Sequence, residues 1–365
     1  MDVLRDANRR AAEGGDIIHL ELGQPSTGAP APVLEAARQA LVRETLGYTD
    51  ACGLPALRQA IALHYREDYR VALDPARIVA TTGSSAGFIL AFLAAFDPGD
   101  RIALAAPAYP AYRNILLALD LVPVELPVGR ETHFQPTAEL LRAQGSRIEG
   151  LILASPANPT GAMLAPEDLA KLARYCDAQG IRLVSDEIYH GIAYGKKAAT
   201  AAASPSAVIV NSFSKYYSMT GWRIGWMVVP PDMLRAVECL GQSLYISPPT
   251  LSQHAALAAF SCRAELDANV VRYAQNRALL IEELPKAGFR DFAPADGAFY
   301  LYLDIAHLTN DSEEFCRRML KEIGIAATPG TDFDQSRGRG TMRLCFAGAT
   351  DEIAEAARRL KSWKR

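Results

Sequence analysis

The sequence predicts an α/β fold: a large three-layer unit on a mostly parallel sheet, with a smaller α+β unit beside it. Three observations carry this. Strand-like and helix-like segments alternate from about residue 77 to 230, the pattern of parallel strands joined by crossover helices. Residues 150–154 (GLILA) are apolar without alternation, as a strand buried on both faces requires. Past Asp232 the pattern changes to long helical stretches and isolated strands. At 365 residues the chain exceeds one ordinary core. The expected division is 37–254 for the large unit, with 1–36 and 255–365 forming the small one.

Taken in order, residues 3–13 read as a short helix and 16–22 (DIIHLEL) as a strand. Gly23-Gln24-Pro25-Ser26-Thr27-Gly28 breaks that strand with turn formers. Residues 32–44 carry apolar positions at helical spacing. Pro55 suits the first turn of a helix running to about Tyr69. Residues 77–82 (RIVATT) form a β-branched strand. It ends in the small-residue turn Gly83-Ser84-Ser85-Ala86-Gly87, with an apolar helix expected over 88–96. Free N–H groups at such a helix start, together with its positive dipole end, favour an anion.

Strands are expected over 100–105 and 120–126, the first closed by Pro107-Ala108-Tyr109-Pro110-Ala111-Tyr112. The strand at 150–154 runs into Ser155-Pro156-Ala157-Asn158-Pro159-Thr160-Gly161. A helix over 166–179 precedes a strand over 182–184, which ends in Ser185-Asp186-Glu187-Ile188-Tyr189. Strands over 208–212 and 222–229 flank Lys215. Helices over 251–284 and 312–323 and strands over 296–303 and 341–346 complete the small unit, the last strand carrying Arg343.

In open α/β sheets ligands bind beyond the carboxyl ends of the strands. Ser84, Ser85, Tyr109, Asn158, Asp186, Tyr189 and Lys215 all fall there, on five strand ends. Around Lys215, Ser212 and Ser214 lie three and one residues before it and Arg223 eight after. Serine and arginine can hold an anion while the amine reaches an aldehyde on the same molecule. Pyridoxal 5′-phosphate (PLP) is such a molecule, and a desolvated lysine beside another cation is the form that attacks a carbonyl.

Other classes find no support. The net charge of -3 gives no electrostatic footprint for nucleic acid or an anionic membrane. No apolar run approaches the roughly 20 residues a bilayer requires. The first residues, MDVLRDANRRAAEGGD, lack an apolar secretion core, so a cytoplasmic protein is expected. Six scattered cysteines form no CxxC pair and no metal is expected.

These residues carry a family resemblance. SPANPTG, SDEIY, SFSKYYSMTGWRIGW and a late strand arginine occur in the order and spacing of the class I/II PLP-dependent aminotransferases, which have the aspartate aminotransferase fold, fold type I. The resemblance covers nearly the whole chain, from GQP to RLCFA. It implies that Lys215 bonds the cofactor aldehyde and shuttles the substrate proton, and that Asp186 pairs with the pyridine nitrogen. Asn158 and Tyr189 would hydrogen-bond the ring oxygen, and Tyr109 would stack on the ring. Ser84, Ser85, Ser212 and Arg223 would hold the phosphate, joined by Tyr48 of the neighbouring subunit in a homodimer with shared sites. Arg343 would clamp the substrate carboxylate, helped by Asn158 and the Gly23 backbone. Ser214 and Tyr216 are read as structural.

The implied reaction is ping-pong transamination between an L-amino acid and a 2-oxo acid. C–S β-elimination, decarboxylation and a non-catalytic PLP-binding regulatory domain share the fold. The chain departs from the family at Ser26-Thr27-Gly28, where a larger residue is common, and at Gln242, near where the dicarboxylate-specific branch has an arginine. The arm before the first helix is short or absent.

Overall fold

A computed structural model describes residues 2–364. The chain opens with α1 (Asp2–Ala12), β1 (Ile18–His19), α2 (Ala31–Arg43) and α3 (Pro55–Asp68). There follow β2 (Ile78–Thr81), α4 (Gly83–Ala95), β3 (Arg101–Ala106), α5 (Pro110–Ala118) and β4 (Val122–Pro127). Next come α6 (Ala138–Arg142), β5 (Gly150–Ala154), α7 (Pro166–Gln179), β6 (Arg182–Asp186), β7 (Val208–Ser212) and β8 (Gly225–Val228). Helices α8 (Leu234–Tyr245), α9 (Thr250–Ala259) and α10 (Arg263–Glu283) lead to β9 (Asp291–Phe292) and β10 (Tyr300–Asp304). The chain closes with α11 (Ser312–Ile323), β11 (Ile325–Ala326), β12 (Thr328–Pro329), β13 (Thr341–Cys345) and α12 (Thr350–Ser362).

The large sheet has seven strands in the order β2-β8-β7-β6-β5-β3-β4. The pairs from β7 to β4 are parallel, and β8 runs antiparallel to both its neighbours. The alternation of side chains makes two cores. Leu151 and Leu153 of β5 enter one with Leu183 and Ile209; Ile152 enters the other with Val184 and Val210. Both cores are apolar, which explains the unalternated GLILA run. Truncating a fully buried leucine such as Leu153 to alanine would cost about 2–5 kcal/mol.

A separate four-stranded antiparallel sheet, β12-β13-β10-β9, packs in a third core with α11, α12 and the N-terminal residues Ile18 and Leu20. β1 pairs in parallel with β11, Ile18 opposite Ile325. Helix α10 joins the cores: Leu266 belongs to the first, Tyr273 and Leu280 to the third.

Several expectations need adjusting. The strand at 16–22 is reduced to Ile18–His19, paired only with the two-residue β11. Helix α4 begins at Gly83, not Phe88, so the serines sit in its first turn. The span 251–284 is two helices broken at Phe260–Cys262. The strand expected from residue 296 begins at Tyr300, after a left-handed Ala298. Helices α5 and α12 were not expected from the sequence.

Candidate active site

The carboxyl ends of β2, β3, β5, β6 and β7 share one edge of the sheet. Antiparallel β8 starts at that same edge, which returns Arg223 to it. A cavity of about 450 Å³ opens there. Ser84, Ser85, Tyr109, Asn158, Asp186, Tyr189, Lys215 and Arg223 line it, and Gly23 and Arg343 reach it from the small unit.

Lys215 follows β7 and points its amine at the Gly23 carbonyl, to which Nζ donates at 2.5 Å. Burial pushes this amine down to about 8, and the nearby Arg343 and Arg223 cations act in the same direction. Nζ also lies 6.0 Å from the centre of the Tyr189 ring. A Cβ at Gly23 would run into the Tyr300 hydroxyl, so the approach of this backbone to the site requires glycine.

Asp186 ends β6 and is buried. The Tyr112 hydroxyl donates to its Oδ2, and the Ile188 N–H donates to Oδ1 at 3.0 Å. Burial raises the carboxyl to about 6, against the lowering effect of those two donors and of Lys215. The hydroxyls of Tyr189 and Tyr300 meet at 2.7 Å. Burial holds the Tyr189 phenol well above its ordinary range, so it stays neutral.

Arg343, on β13, is buried with its face between two rings, 4.3 Å from the centre of Tyr300 and 4.9 Å from that of Phe333. Its Nη1 donates to Asn158 Oδ1 at 2.8 Å. Nη2 donates to the Glu21 carbonyl at 2.6 Å and to the Thr328 hydroxyl at 3.2 Å. Nε is buried and has no partner among the described residues. A buried donor without a partner is costly, and a substrate carboxylate would relieve it.

The anion end is built at the start of α4. Gly83 has φ +76°, and Ser84 and Ser85 occupy the first turn. Arg223 has φ +50° and donates from Nη1 to the Thr220 carbonyl at 2.8 Å. A Cβ on Gly83 would strike its guanidinium. A helix N-terminus, two serines and one cation thus line one end of the cavity, a set suited to an anion.

Ser212 and Tyr48 do not line this chain's cavity, and for Tyr48, expected at the neighbouring subunit's phosphate, none of its own is required. The Ser212 hydroxyl is held inside its own loop, 3.1 Å from the Ile224 carbonyl and 2.9 Å from the Ser214 hydroxyl. Ser214, read as structural, lines the cavity instead. Tyr48 is 81% exposed and outside the cavity. Tyr109 lines the cavity and packs its ring edge-on against Tyr112, 5.4 Å between centres.

Sequence reasoning missed Tyr112, Tyr300, Thr328 and Phe333. It also missed a layer behind the site. Glu187 accepts from the Thr200 hydroxyl and the Ala201 N–H, each at 2.8 Å. Burial drives its carboxyl up to about 8. His190 Nε2 lies 3.0 Å from the Ser155 carbonyl, which can only accept, so Nε2 carries the proton. Nδ1 therefore accepts from the Tyr69 hydroxyl at 2.8 Å. This fixes the loop leading to Asn158 against the loop carrying Asp186 and Tyr189.

A family model described as aminotransferase class I and II matches residues 15–360. The valine–pyruvate aminotransferase of Mycobacterium tuberculosis is 50% identical over 368 residues, covering 100% of this chain and 95% of that protein. The aspartate/prephenate aminotransferase of Thermus thermophilus is 33% identical, covering 95% of this chain and 91% of that one. Among solved structures, an aminotransferase from Mycobacterium tuberculosis superposes with a TM-score of 0.98 at 50% identity, over 100% of this chain and 95% of that chain. Aspartate aminotransferase from Thermus thermophilus with maleate superposes at 0.92 with 31% identity, over 99% and 95%.

Proposed function

The chain belongs to the class I and II aminotransferase family, and on that premise we propose that it holds pyridoxal 5′-phosphate in the 450 Å³ cavity and moves the amino group of a small apolar L-amino acid, valine foremost, to pyruvate or a similar 2-oxo acid. The residues present fit that cofactor. A buried amine whose pKa burial has lowered, a buried carboxylate and an anion cradle line a single cavity. When bound, the cofactor supplies an aldehyde for an amine and a ring that takes up the electron pair released at the substrate α-carbon.

The chain's own groups have distinct tasks in this reading. Lys215 presents an amine with a usable lone pair and carries the proton removed from the substrate α-carbon. Asp186 holds a proton on the ring nitrogen, and the Tyr112 hydroxyl fixes that carboxylate. Asn158 and the neutral Tyr189 phenol hydrogen-bond the ring oxygen, and Tyr109 covers the ring. Ser84, Ser85, Ser214 and Arg223 hold the phosphate. Arg343 takes the substrate carboxylate, with Asn158 and the Gly23 backbone beside it.

The substrate class rests on two observations. The relative of 50% identity bears the name valine–pyruvate aminotransferase. In this chain Val3, Leu4 and Phe333 line the cavity, and its arginines are Arg223 and Arg343. Neither is left over for a second substrate carboxylate.

A homodimer with Tyr48 reaching the partner's phosphate belongs to the same reading. Leu41, Val42 (86% exposed) and Tyr48 are exposed apolar side chains close in sequence, as a contact surface would present. The separate cores favour two units but with other bounds than 37–254, since Val33 and Ala255, Ala256, Ala259, Cys262 and Leu266 pack in the first core. All six cysteines are free thiols, in keeping with a reducing cytoplasm. Among the described residues no helix is long and apolar enough to cross a membrane.

The observation that carries the proposal is Lys215, its amine buried and lowered to about 8, in one cavity with Asp186 and Arg343. The test is a panel of amino donors added to the purified holoenzyme without acceptor, followed by cofactor absorbance. Valine should convert the cofactor to its amine form faster than aspartate does. No conversion by any common amino acid would sink the assignment.

A further inference from the structure

A second cavity, of about 270 Å³, lies apart from the active site. Its body is aromatic: Tyr69, Tyr216, Tyr217, Trp226 and Phe260 line it together with His64. It sits where α10 leaves the first core, since Leu266 and Asp267 line it on one side and Gly191 and Ala193 on the other. The wall is tightly built. Gly191 has φ +91°, and a Cβ there would lie 2.6 Å from the Tyr216 ring.

Charge at this cavity is positive on balance, with Lys196, Lys197 and Arg263 against Asp68 and Asp267. Asp68 is engaged twice: Arg263 Nη2 reaches its two oxygens at 2.7 and 2.6 Å, and His64 Nδ1 lies 2.8 Å from Oδ2. Asp267 accepts from the Tyr216 hydroxyl at 2.6 Å. Lys196 and Lys197 also line the cavity, are exposed, and form no ion pair among the described residues. The uncompensated charge is therefore positive. The volume lies near the lower bound for small-molecule sites, enough for one ring system with a short tail.

We propose that this cavity binds a small aromatic carboxylate. The ring lies among Tyr69, Tyr217, Trp226 and Phe260, where aromatic faces and edges complement it. The carboxylate lies toward Lys196 and Lys197. The transamination reading uses only the Tyr69–His190 bond behind this cavity, which the proposed ligand leaves in place.

The test is calorimetric titration of the holoenzyme with 3-phenylpropionate, the probe compound. Saturable binding of one molecule per chain is expected. The double variant Lys196→Gln/Lys197→Gln should weaken it by about fivefold or more, as loss of paired charge at a partly exposed site implies, with transamination unchanged. Arg343→Lys should leave the binding within about twofold, because the probe is not held in the active site. Absence of saturable binding overturns the proposal. So does binding lost with Arg343→Lys, which puts the probe in the active site, or binding indifferent to the lysine pair. Both lysines are exposed, so their replacement does not threaten the fold.

Discussion

The carbonyl oxygen of Gly23 accepts from the amine of Lys215 at 2.5 Å, across 192 residues of sequence. The contact depends on an absent side chain, because a Cβ at residue 23 would meet the Tyr300 hydroxyl. Gly23→Ala should therefore destabilise the protein by about 1–3 kcal/mol, the usual range for overpacking, and lower kcat/KM at least tenfold. Adding Tyr300→Phe removes the clashing oxygen. The double variant should regain part of the lost melting temperature without regaining activity, since the bond between Tyr300 and Tyr189 is gone. A purely additive loss in thermal denaturation would refute this account.

Lys215→Ala should abolish transamination, with turnover falling by orders of magnitude, because no other amine lines the cavity among the described residues. Ser84, Ser85, Arg223 and Asp186 remain, so the cofactor should still co-purify. Cofactor content and single-turnover kinetics separate the two effects. Turnover near that of the unaltered enzyme would mean another group carries the proton.

Arg343→Ala should lower kcat/KM for valine by about 10- to 150-fold, the equivalent of about 1.5–3 kcal/mol for a hydrogen bond to a charged group. The loss should be smaller for Arg343→Lys, which keeps the charge but not the planar fork. Steady-state kinetics with both variants decides it. Equal losses would show that the retained charge contributes nothing without the fork.

Glu187 offers a pH test. Its carboxyl is raised from 4.5 to about 8 by burial. Between those values the folded chain keeps a proton that the unfolded chain has released. The stabilisation is fully present below about pH 4.5 and is lost as pH rises through about 8. Glu187→Gln keeps an acceptor for the Ala201 N–H and cannot ionise. Melting temperatures from pH 5 to 8 should fall less steeply for this variant than for the unaltered protein. Parallel profiles would rule out Glu187 as the titrating group.

Much of this was legible in the sequence because a strand buried on both faces leaves a plain mark. Residues 150–154 and 208–212 were read to their observed ends, and Lys215, Asp186, Asn158, Tyr189 and Arg223 all reach the cavity. What was not legible depends on distance in space. Tyr112 lies in a short helix and meets Asp186 across 74 residues. Tyr300 meets Tyr189 across 111 residues, and Tyr302 two places on meets Thr341 instead, a difference set by which neighbours each finds in space. That Ser212 Oγ bonds Ser214 and only Ser214 lines the cavity follows from a loop that folds back on itself, which no spacing rule resolves. The start of α4 was misplaced because glycine and serine are poor helix formers, yet an anion site at a helix end needs such small residues.

The pairing of β1 with β11 has a consequence for the order of events during synthesis. Ile18 finds its partner only when Ile325 has been made, and the Glu21 carbonyl meets Arg343 later still. At about 5–20 residues per second, the first strand waits roughly 15–60 seconds on the ribosome for its neighbour. An early strand is thus placed only after about 300 later residues are made, and the substrate end of the pocket closes only once Arg343 has emerged.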